Sequence, residues 1–154
     1  MVQSGYNVSM TDATSLPVRH VMSMELPMGD PAPVVIPYGP AGTRVVVGLS
    51  GGTFKGDRLA GTVAPGIGGD MAIVRSDGTL RLDVRILLTT DDGVPIYGTY
   101  NGVGLPDGAG GFDLRTAPTF EVHDERYAWL NNIQAVSHGK STPTRLTYEV
   151  YELL

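Results

Sequence analysis

The stretch from Thr79 to Asn101 constrains the fold more than any other part of the chain. It reads as two alternating segments, TLRLDVRILLTT and IYGTYN, joined by the short turn DDGVP. Successive side chains of a strand point to opposite faces, so the first segment sets a face of Leu, Val and Ile against a face that carries charges. Gly93 supplies the positive φ that a tight turn between antiparallel strands needs. The stretch therefore predicts a β-hairpin.

Other segments repeat this alternation, and none shows a convincing period of 3.6 residues. The 21 glycines and 11 prolines follow no repeat, which is typical of turns and bulges between many short strands. The glycines between residues 51 and 69 suit the corners of a closed barrel, and a C-terminal strand over 144–154 could pair with an early strand and remove the edges. We therefore predict an all-β fold, a single closed or nearly closed antiparallel β-barrel of about eight to ten short strands with little or no helix, in preference to a sandwich.

Length and charge narrow the function classes. A chain of 154 residues suits one domain, and we expect a flexible lead-in or edge segment over 1–15 and the barrel over 16–154. The net charge of -5 and the lack of basic clusters argue against nucleic acid as a partner. The absence of cysteine excludes disulfides and thiolate chemistry. We expect no membrane segment and a cytoplasmic location, because no apolar run is long enough to span a bilayer and no leader pattern begins the chain.

Several segments together resemble the DUF3237 family, also called UPF0311. They are GPAGTR at 39–44, GGTFKGDRLAGTVAPGIGGD at 51–70, SDGTLRLDVRILLTTDDGVPIYGTYNGV at 76–103, FDLRTAPTFE at 112–121 and YAWLN at 127–131. The resemblance covers most of the chain in order. It implies a compact antiparallel β-barrel with an interior cavity and a homo-oligomer, a dimer or higher, and it implies no particular reaction.

Asp83 and Arg85 are the first candidates for catalysis. If both project into the barrel, Arg85 would orient an anionic or carbonyl ligand, and Asp83 would act as a base with a pKa raised by apolar surroundings. Alternatively both lie outside and pair with neighbouring strands in water, while Leu82 and Val84 fill the core. Alternation alone leaves the two arrangements open.

Asp70 ends the glycine-rich run and is the second candidate acid or base, since a carboxylate that enters the barrel from its rim would suit proton transfer. Asp92 lies in the hairpin turn and is predicted to accept backbone N–H bonds there. Arg115 and Glu121 are candidate ligand-binding residues on a segment that fits the family pattern. Their structural alternative is a mutual or cross-strand ion pair.

Tyr127, Trp129 and Asn131 share a face if residues 127–136 form a strand. One aromatic plate with polar tips on either side would make a wall of a small-ligand site, and the same triplet could equally be core with a hydrogen-bonding anchor. His20 shares a predicted strand face with Met22 and Met24. It is a further candidate for ligand binding, against the more common role of a satisfied core histidine.

The spacing of the three histidines predicts no metal site, and the glycine-rich runs lack the pattern of a nucleotide loop, so we expect neither a metal nor a cofactor. The leading hypothesis is a cofactor-free enzyme with acid/base chemistry of the isomerase, cyclase or lyase type. Its substrate would be a hydrophobic or aromatic carbonyl compound inside the barrel. The alternatives are a barrel that carries a small apolar molecule unchanged and a filled barrel that acts through oligomeric contacts.

Overall fold

The computed structural model describes residues 15–154, so the lead-in predicted for residues 1–15 lies almost wholly outside the described residues. Eleven strands form one antiparallel sheet, and within the described range the only helical element is a 3-10 turn at Ala128–Asn132. Residues 15–154 include no helix with the length and apolar character to cross a membrane. The strands are β1 Val18–Pro27, β2 Val34–Gly39, β3 Gly42–Gly48, β4 Thr53–Lys55, β5 Ala60–Val74, β6 Leu80–Thr90, β7 Pro95–Pro106, β8 Phe112–Thr116, β9 Thr119–Glu121, β10 Ala135–Ser141 and β11 Arg145–Leu153.

Eight of these strands close into a barrel. Their order around the ring is β5, β4, β1, β11, β10, β8, β7 and β6, and the pairing of β6 with β5 completes it. The β2–β3 hairpin extends from β5 beside the ring, and β9 pairs with β7. The C-terminal strand β11 pairs along the whole of β1, as the sequence predicted. The all-β closed barrel is therefore confirmed.

The β6–β7 hairpin orients its faces as the apolar pattern requires. Leu82, Val84, Ile86 and Leu88 are buried inside the barrel. The turn after Thr90 is closed by hydrogen bonds from Thr90 N to Val94 O and from Gly93 N to Thr90 O. Gly93 has a φ of 88°, a left-handed conformation that residues with a Cβ rarely adopt.

Strand β5 is long because its glycines let it bend between neighbours. Its pairing with β6 contains a bulge between Val63 and Gly68. A Cβ on Gly68 would lie 2.2 Å from the carbonyl oxygen of Arg85, and a Cβ on Gly69 would lie 2.5 Å from that of Val47. Only glycine permits these close approaches, and they hold the following residue, Asp70, between β3 and β6.

The strand predicted for residues 127–136 is wrong over its first half. Ala128–Asn132 forms the 3-10 turn, and extended structure begins only at Ala135. Leu130 is 0% exposed and belongs to the hydrophobic core. Trp129 contacts Arg58 in the loop before β5, and Tyr127 contacts Asp92 in the β6–β7 turn, so the 3-10 turn covers one end of the barrel.

Candidate functional site

The end of the barrel opposite the 3-10 turn encloses a cavity of about 300 Å³. Its outer part is lined by residues of the loops after β1, β7 and β10, including Met28, Pro33, Gly110 and Pro143. The inner wall is apolar and is made by strand residues and by Leu49, which directly follows β3. Its residues are Val45, Val47, Leu49, Ala72, Val74, Leu80, Leu82, Val84, Phe112, Leu114 and Leu146. A cavity of this size lies at the lower end of small-molecule sites, which span roughly 300–1,000 Å³.

Two tyrosines form the floor of the cavity. Tyr100 on β7 and Tyr148 on β11 are both buried, and their rings meet edge to face with centroids 5.6 Å apart. Behind them the barrel is packed, and the space between Met24, Leu88 and their neighbours is only about 10 Å³, hardly enough for one water molecule. The tyrosine pair therefore separates an open half of the barrel from a filled half.

Asp70 is the ionisable carboxyl that lines the cavity. Its Oδ1 accepts a hydrogen bond from the Asp83 backbone N–H at 3.0 Å. The backbone pairing of β5 with β6 is interrupted between Asp70↔Val84 and Ile73↔Arg81. At this interruption the Asp70 carboxyl, rather than a backbone carbonyl of β5, accepts the hydrogen bond of the Asp83 N–H. Burial raises the pKa of Asp70 to about 6, against the lowering effect of the Asp83 N–H. This carboxyl can therefore exchange a proton near neutral pH.

Asp83 and Arg85 lie outside the barrel, so of the two arrangements that the sequence left open, the structure has the outward one and the inward, catalytic one is wrong. Their side chains are 44% and 50% exposed and form an ion pair with each other, to which Asn101 also contributes a hydrogen bond. The reason is the alternation of β6: the cavity face is taken by Leu82 and Val84, and the charged residues between them must face water. Only the backbone of Asp83 reaches the site, through its bond to Asp70.

Tyr127, Trp129 and Asn131 do not line the cavity, because the 3-10 turn that carries them lies at the other end of the barrel. Tyr127 donates to Asp92 at 2.9 Å, and the guanidinium of Arg58 lies 3.7 Å from the centre of the Trp129 ring. Asn131 exchanges two hydrogen bonds of 2.8 Å with the backbone of Val122. The three residues thus stabilise the closed end of the barrel, which agrees with the alternative prediction of a core element with a hydrogen-bonding anchor.

His20, Arg115 and Glu121 are likewise on the outer surface. A bulge between His20 and Met22 buries both Val21 and Met22, and it turns His20 outward, where its Nε2 lies 2.8 Å from Glu149 Oε2. Arg115 donates to the carbonyl of Leu114, and within residues 15–154 it makes no ion pair with Glu121. The structural alternative of an ion pair for Arg115 and Glu121 is therefore wrong, and the ligand-binding role predicted for the three residues has no support in this cavity, because none of them borders it.

Tyr100 and Tyr148 are the site residues that sequence reasoning missed. The signal was present, because Tyr148 alternates with Leu146 and Val150 on the apolar face of the last strand. A tyrosine in such a row places a phenol inside the barrel. Within the described part of the chain, no three His, Asp or Glu side chains come together as a metal-binding group.

We predict that Asp70→Asn stabilises the protein above pH 6. The Asp70 pKa of about 6 exceeds the ordinary value of 3.8, so between these values the folded protein keeps a proton that the unfolded chain has lost, and stability falls as pH rises. The full penalty, present above pH 6, is at most about 3 kcal/mol, and partial solvent contact reduces it to about 1–2 kcal/mol. Asparagine can still accept the Asp83 N–H and carries no charge.

Thermal melts at pH 8 and pH 4 measure this effect. We expect Asp70→Asn to melt about 2–8 °C above the natural protein at pH 8, with a much smaller difference at pH 4. If Asp70→Asn melted at the same temperature as the natural protein at pH 8, or at a lower one, burial of the Asp70 carboxylate would not be destabilising.

Comparison with known proteins gives consistent matches over nearly the whole chain. The DUF3237 family model, described as a protein of unknown function, matches residues 16–153. A UPF0311 protein of Clostridium acetobutylicum is 30% identical over 125 residues, which cover 73% of this chain and 78% of that protein. The crystal structure of a conserved protein of unknown function from Rhodopseudomonas palustris matches with a TM-score of 0.82 and 25% identity, covering 91% of this chain and 99% of that one.

A further relative is an enzyme with a named activity. A hydroalkoxylation enzyme of Penicillium herquei is 36% identical over 88 residues, which cover 56% of this chain and 51% of the enzyme.

Proposed function

The chain belongs to the DUF3237 family, and from this premise and the chemistry of its cavity we propose that it is a cofactor-independent enzyme that moves protons on a small hydrophobic or aromatic carbonyl compound. The observation that carries the proposal is the Asp70 carboxyl, which lines an apolar cavity and has a pKa of about 6. A general base is most effective when its pKa lies near the working pH.

The proposed role of Asp70 is that of a general base. Its carboxylate removes a proton from the carbon next to the substrate carbonyl, and the electron pair moves onto the carbonyl oxygen. The same carboxyl then returns the proton to carbon, at the original position or at another one. These steps change no oxidation state and give isomerisation. Elimination results when the enolate expels a leaving group from the β-carbon in place of reprotonation. Cyclisation results when a hydroxyl of the substrate adds to an activated double bond and its proton passes through Asp70 to carbon.

The apolar wall supports the substrate class. Val45, Leu82 and Phe112 and their neighbours offer an aliphatic and aromatic surface that favours a hydrocarbon skeleton. The named relative, a hydroalkoxylation enzyme, supports the reaction class. Hydroalkoxylation is the addition of an O–H bond across a carbon–carbon double bond, so a proton leaves oxygen and a proton is gained by carbon. Exclusion of water from such a cavity strengthens the electrostatic interactions inside it.

Deuterium exchange tests the proposal before the natural substrate is known. The protein is incubated in D₂O with acetophenone, α-tetralone and cyclohexanone, and deuterium next to the carbonyl is followed by mass spectrometry. A parallel sample contains 2-allylphenol, whose hydroxyl can add to its own double bond. We expect exchange or cyclisation about 10²-fold or more above that of protein-free buffer for at least one compound.

The pH dependence of the exchange identifies the group. We expect the rate to rise with pH through a midpoint near 6 and then to level off, because only the ionised form of Asp70 is a base. A rate that falls through the same range would contradict the base role. Binding of the ketones without exchange at any pH would reject the enzyme in favour of a carrier barrel.

A further inference from the structure

The β2–β3 hairpin leaves one edge of the sheet open. Strand β2 pairs with β3 on one side, and among the strands of residues 15–154 none pairs with its other side. Alternate backbone N–H and C=O groups along that side therefore lack a partner in the sheet. Proteins usually cover such an edge or place charged side chains on it. Strand β2, with the sequence VVIPYG, carries no charge.

The side chains beside this edge are apolar and exposed. Val34, Val35 and Ile36 are 60%, 56% and 52% exposed. On the outer face of the sheet, the pairings Val34↔Val46 and Val46↔Met71 place three apolar residues in one row that begins at the edge. Met71, at the inner end of this row, is still 40% exposed. Contiguous exposed apolar surface of this kind marks an interaction site.

A second copy of the chain is the partner that fits this edge. Two identical edges can pair antiparallel about a two-fold axis, and the contact then closes at the dimer. Because β2 is uncharged, pairing with itself sets no like charges opposite each other. Pro37 has no N–H to donate, and the pairing of β2 with β3 becomes irregular after Ile36, so the regular part of the edge is limited to residues 34–36.

We propose that two copies of the chain pair through β2, with the two-fold axis at Val35, and so join their sheets into one. In this register Val35 lies opposite Val35 of the second copy, and Val34 lies opposite Ile36. The apolar rows on the outer face then continue from one copy into the other. Arg44, the charged residue of β3, donates to the Met71 carbonyl, and the axis keeps its two copies about three strand spacings apart, roughly 14 Å.

The size of the contact suits a stable dimer. The exposed surface of β2 and Met71 is on the order of 600 Å² per copy, comparable with the roughly 800 Å² that each partner buries in a standard interface. The contact also borders the cavity, because Pro33, directly before β2, lines it and Val35 pairs with Val45 of the inner wall. The inference does not depend on the chemistry proposed for Asp70.

Exchange of charge at Val35 tests the inference. Sedimentation velocity should show a dimer for the natural protein at tens of micromolar. Val35→Lys and Val35→Glu each place like charges opposite each other at the axis, so each should weaken the dimer about 10-fold or more, and an equimolar mixture of the two should restore it. The control Leu105→Lys changes a residue of similar exposure, 51%, on β7 and should stay dimeric.

A single cysteine tests the register. The natural chain contains no cysteine, so Val35→Cys gives each copy one thiol. Residues opposite each other in an antiparallel pair have Cα atoms about 4.5–5.5 Å apart, a separation that a disulfide can span. With oxidised glutathione, we expect Val35→Cys to become a disulfide-linked dimer within the time in which the control Leu105→Cys gives little of one.

Three results would overturn the inference. The first is a natural protein that sediments as a monomer at these concentrations. The second is a dimer that Val35→Lys leaves intact, because such a dimer would use another surface. The third is a Val35→Cys protein that forms the linked dimer no faster than Leu105→Cys does, because the two-fold axis would then not lie at Val35.

Discussion

Replacing Asp70 with asparagine is expected to lower ketone deuterium exchange by about 10²–10⁴-fold, the usual contribution of a positioned general base. Asparagine has nearly the same shape and can keep the bond from the Asp83 N–H, so the cavity should retain its form. What it lacks is a group that takes a proton near neutral pH. Exchange rates at pH 8, where Asp70 is ionised, make the comparison most sensitive.

The control for this loss is Asp57→Asn, which makes the same change on an exposed loop before β5. It should leave the exchange rate unaltered. Acetophenone affinity provides a second control, because Asp70→Asn removes the base and leaves the apolar wall of the cavity in place. An Asp70→Asn protein that binds acetophenone and exchanges it at the natural rate would show that Asp70 is not the base.

Leu130→Ala should be the most destabilising of the changes considered, at about 2–5 kcal/mol. Leu130 is fully buried at the centre of the 3-10 turn that covers the closed end of the barrel. Truncation removes its apolar contacts and leaves a void that the surrounding strands can only partly fill. Urea denaturation measures the change in the free energy of unfolding.

Leu105→Ala is the matched control for that experiment. Leu105 is 51% exposed on β7, and the same truncation there should change the free energy of unfolding by no more than about 0.5 kcal/mol. Similar values for the two variants would contradict the assignment of Leu130 to the core of the closed end.

The barrel was predictable because alternation and glycine placement are local signals. The alternation of Leu82 and Val84 with charged residues predicts a buried face within the single segment that forms β6, and the glycines before Asp70 predict a bend. Closure by β1 and β11 follows from the need to remove exposed edges. Each of these inferences requires only neighbouring residues and the geometry of a strand.

The site was harder to predict because it depends on which ends of distant strands meet. Alternation left open which face of the strand carries Asp83. It could not predict that the backbone N–H of Asp83, rather than its carboxylate, contacts the site. Regular alternation placed His20 on the same strand face as Met22, but a bulge in β1 shifts the alternation by one residue between them. Over the five residues from Tyr127 to Asn131, a strand and a 3-10 turn fit the same pattern of aromatic and polar residues.

Asp70 and Tyr148 show that recognising polar residues in apolar segments does not predict which of them meet in the fold. Each was recognisable as a polar residue next to apolar ones, yet they come from strands far apart in sequence. Their presence around one cavity follows from the ring order of the barrel.

The most direct test of this account is an NMR titration of the Asp70 carboxyl carbon in the ligand-free protein, assigned by comparison with Asp70→Asn. The account predicts a midpoint near pH 6, because burial beside an apolar cavity disfavours the carboxylate. A midpoint at or below the ordinary value of 3.8 would mean that the carboxyl is well solvated. In that case it could not act as the proposed base.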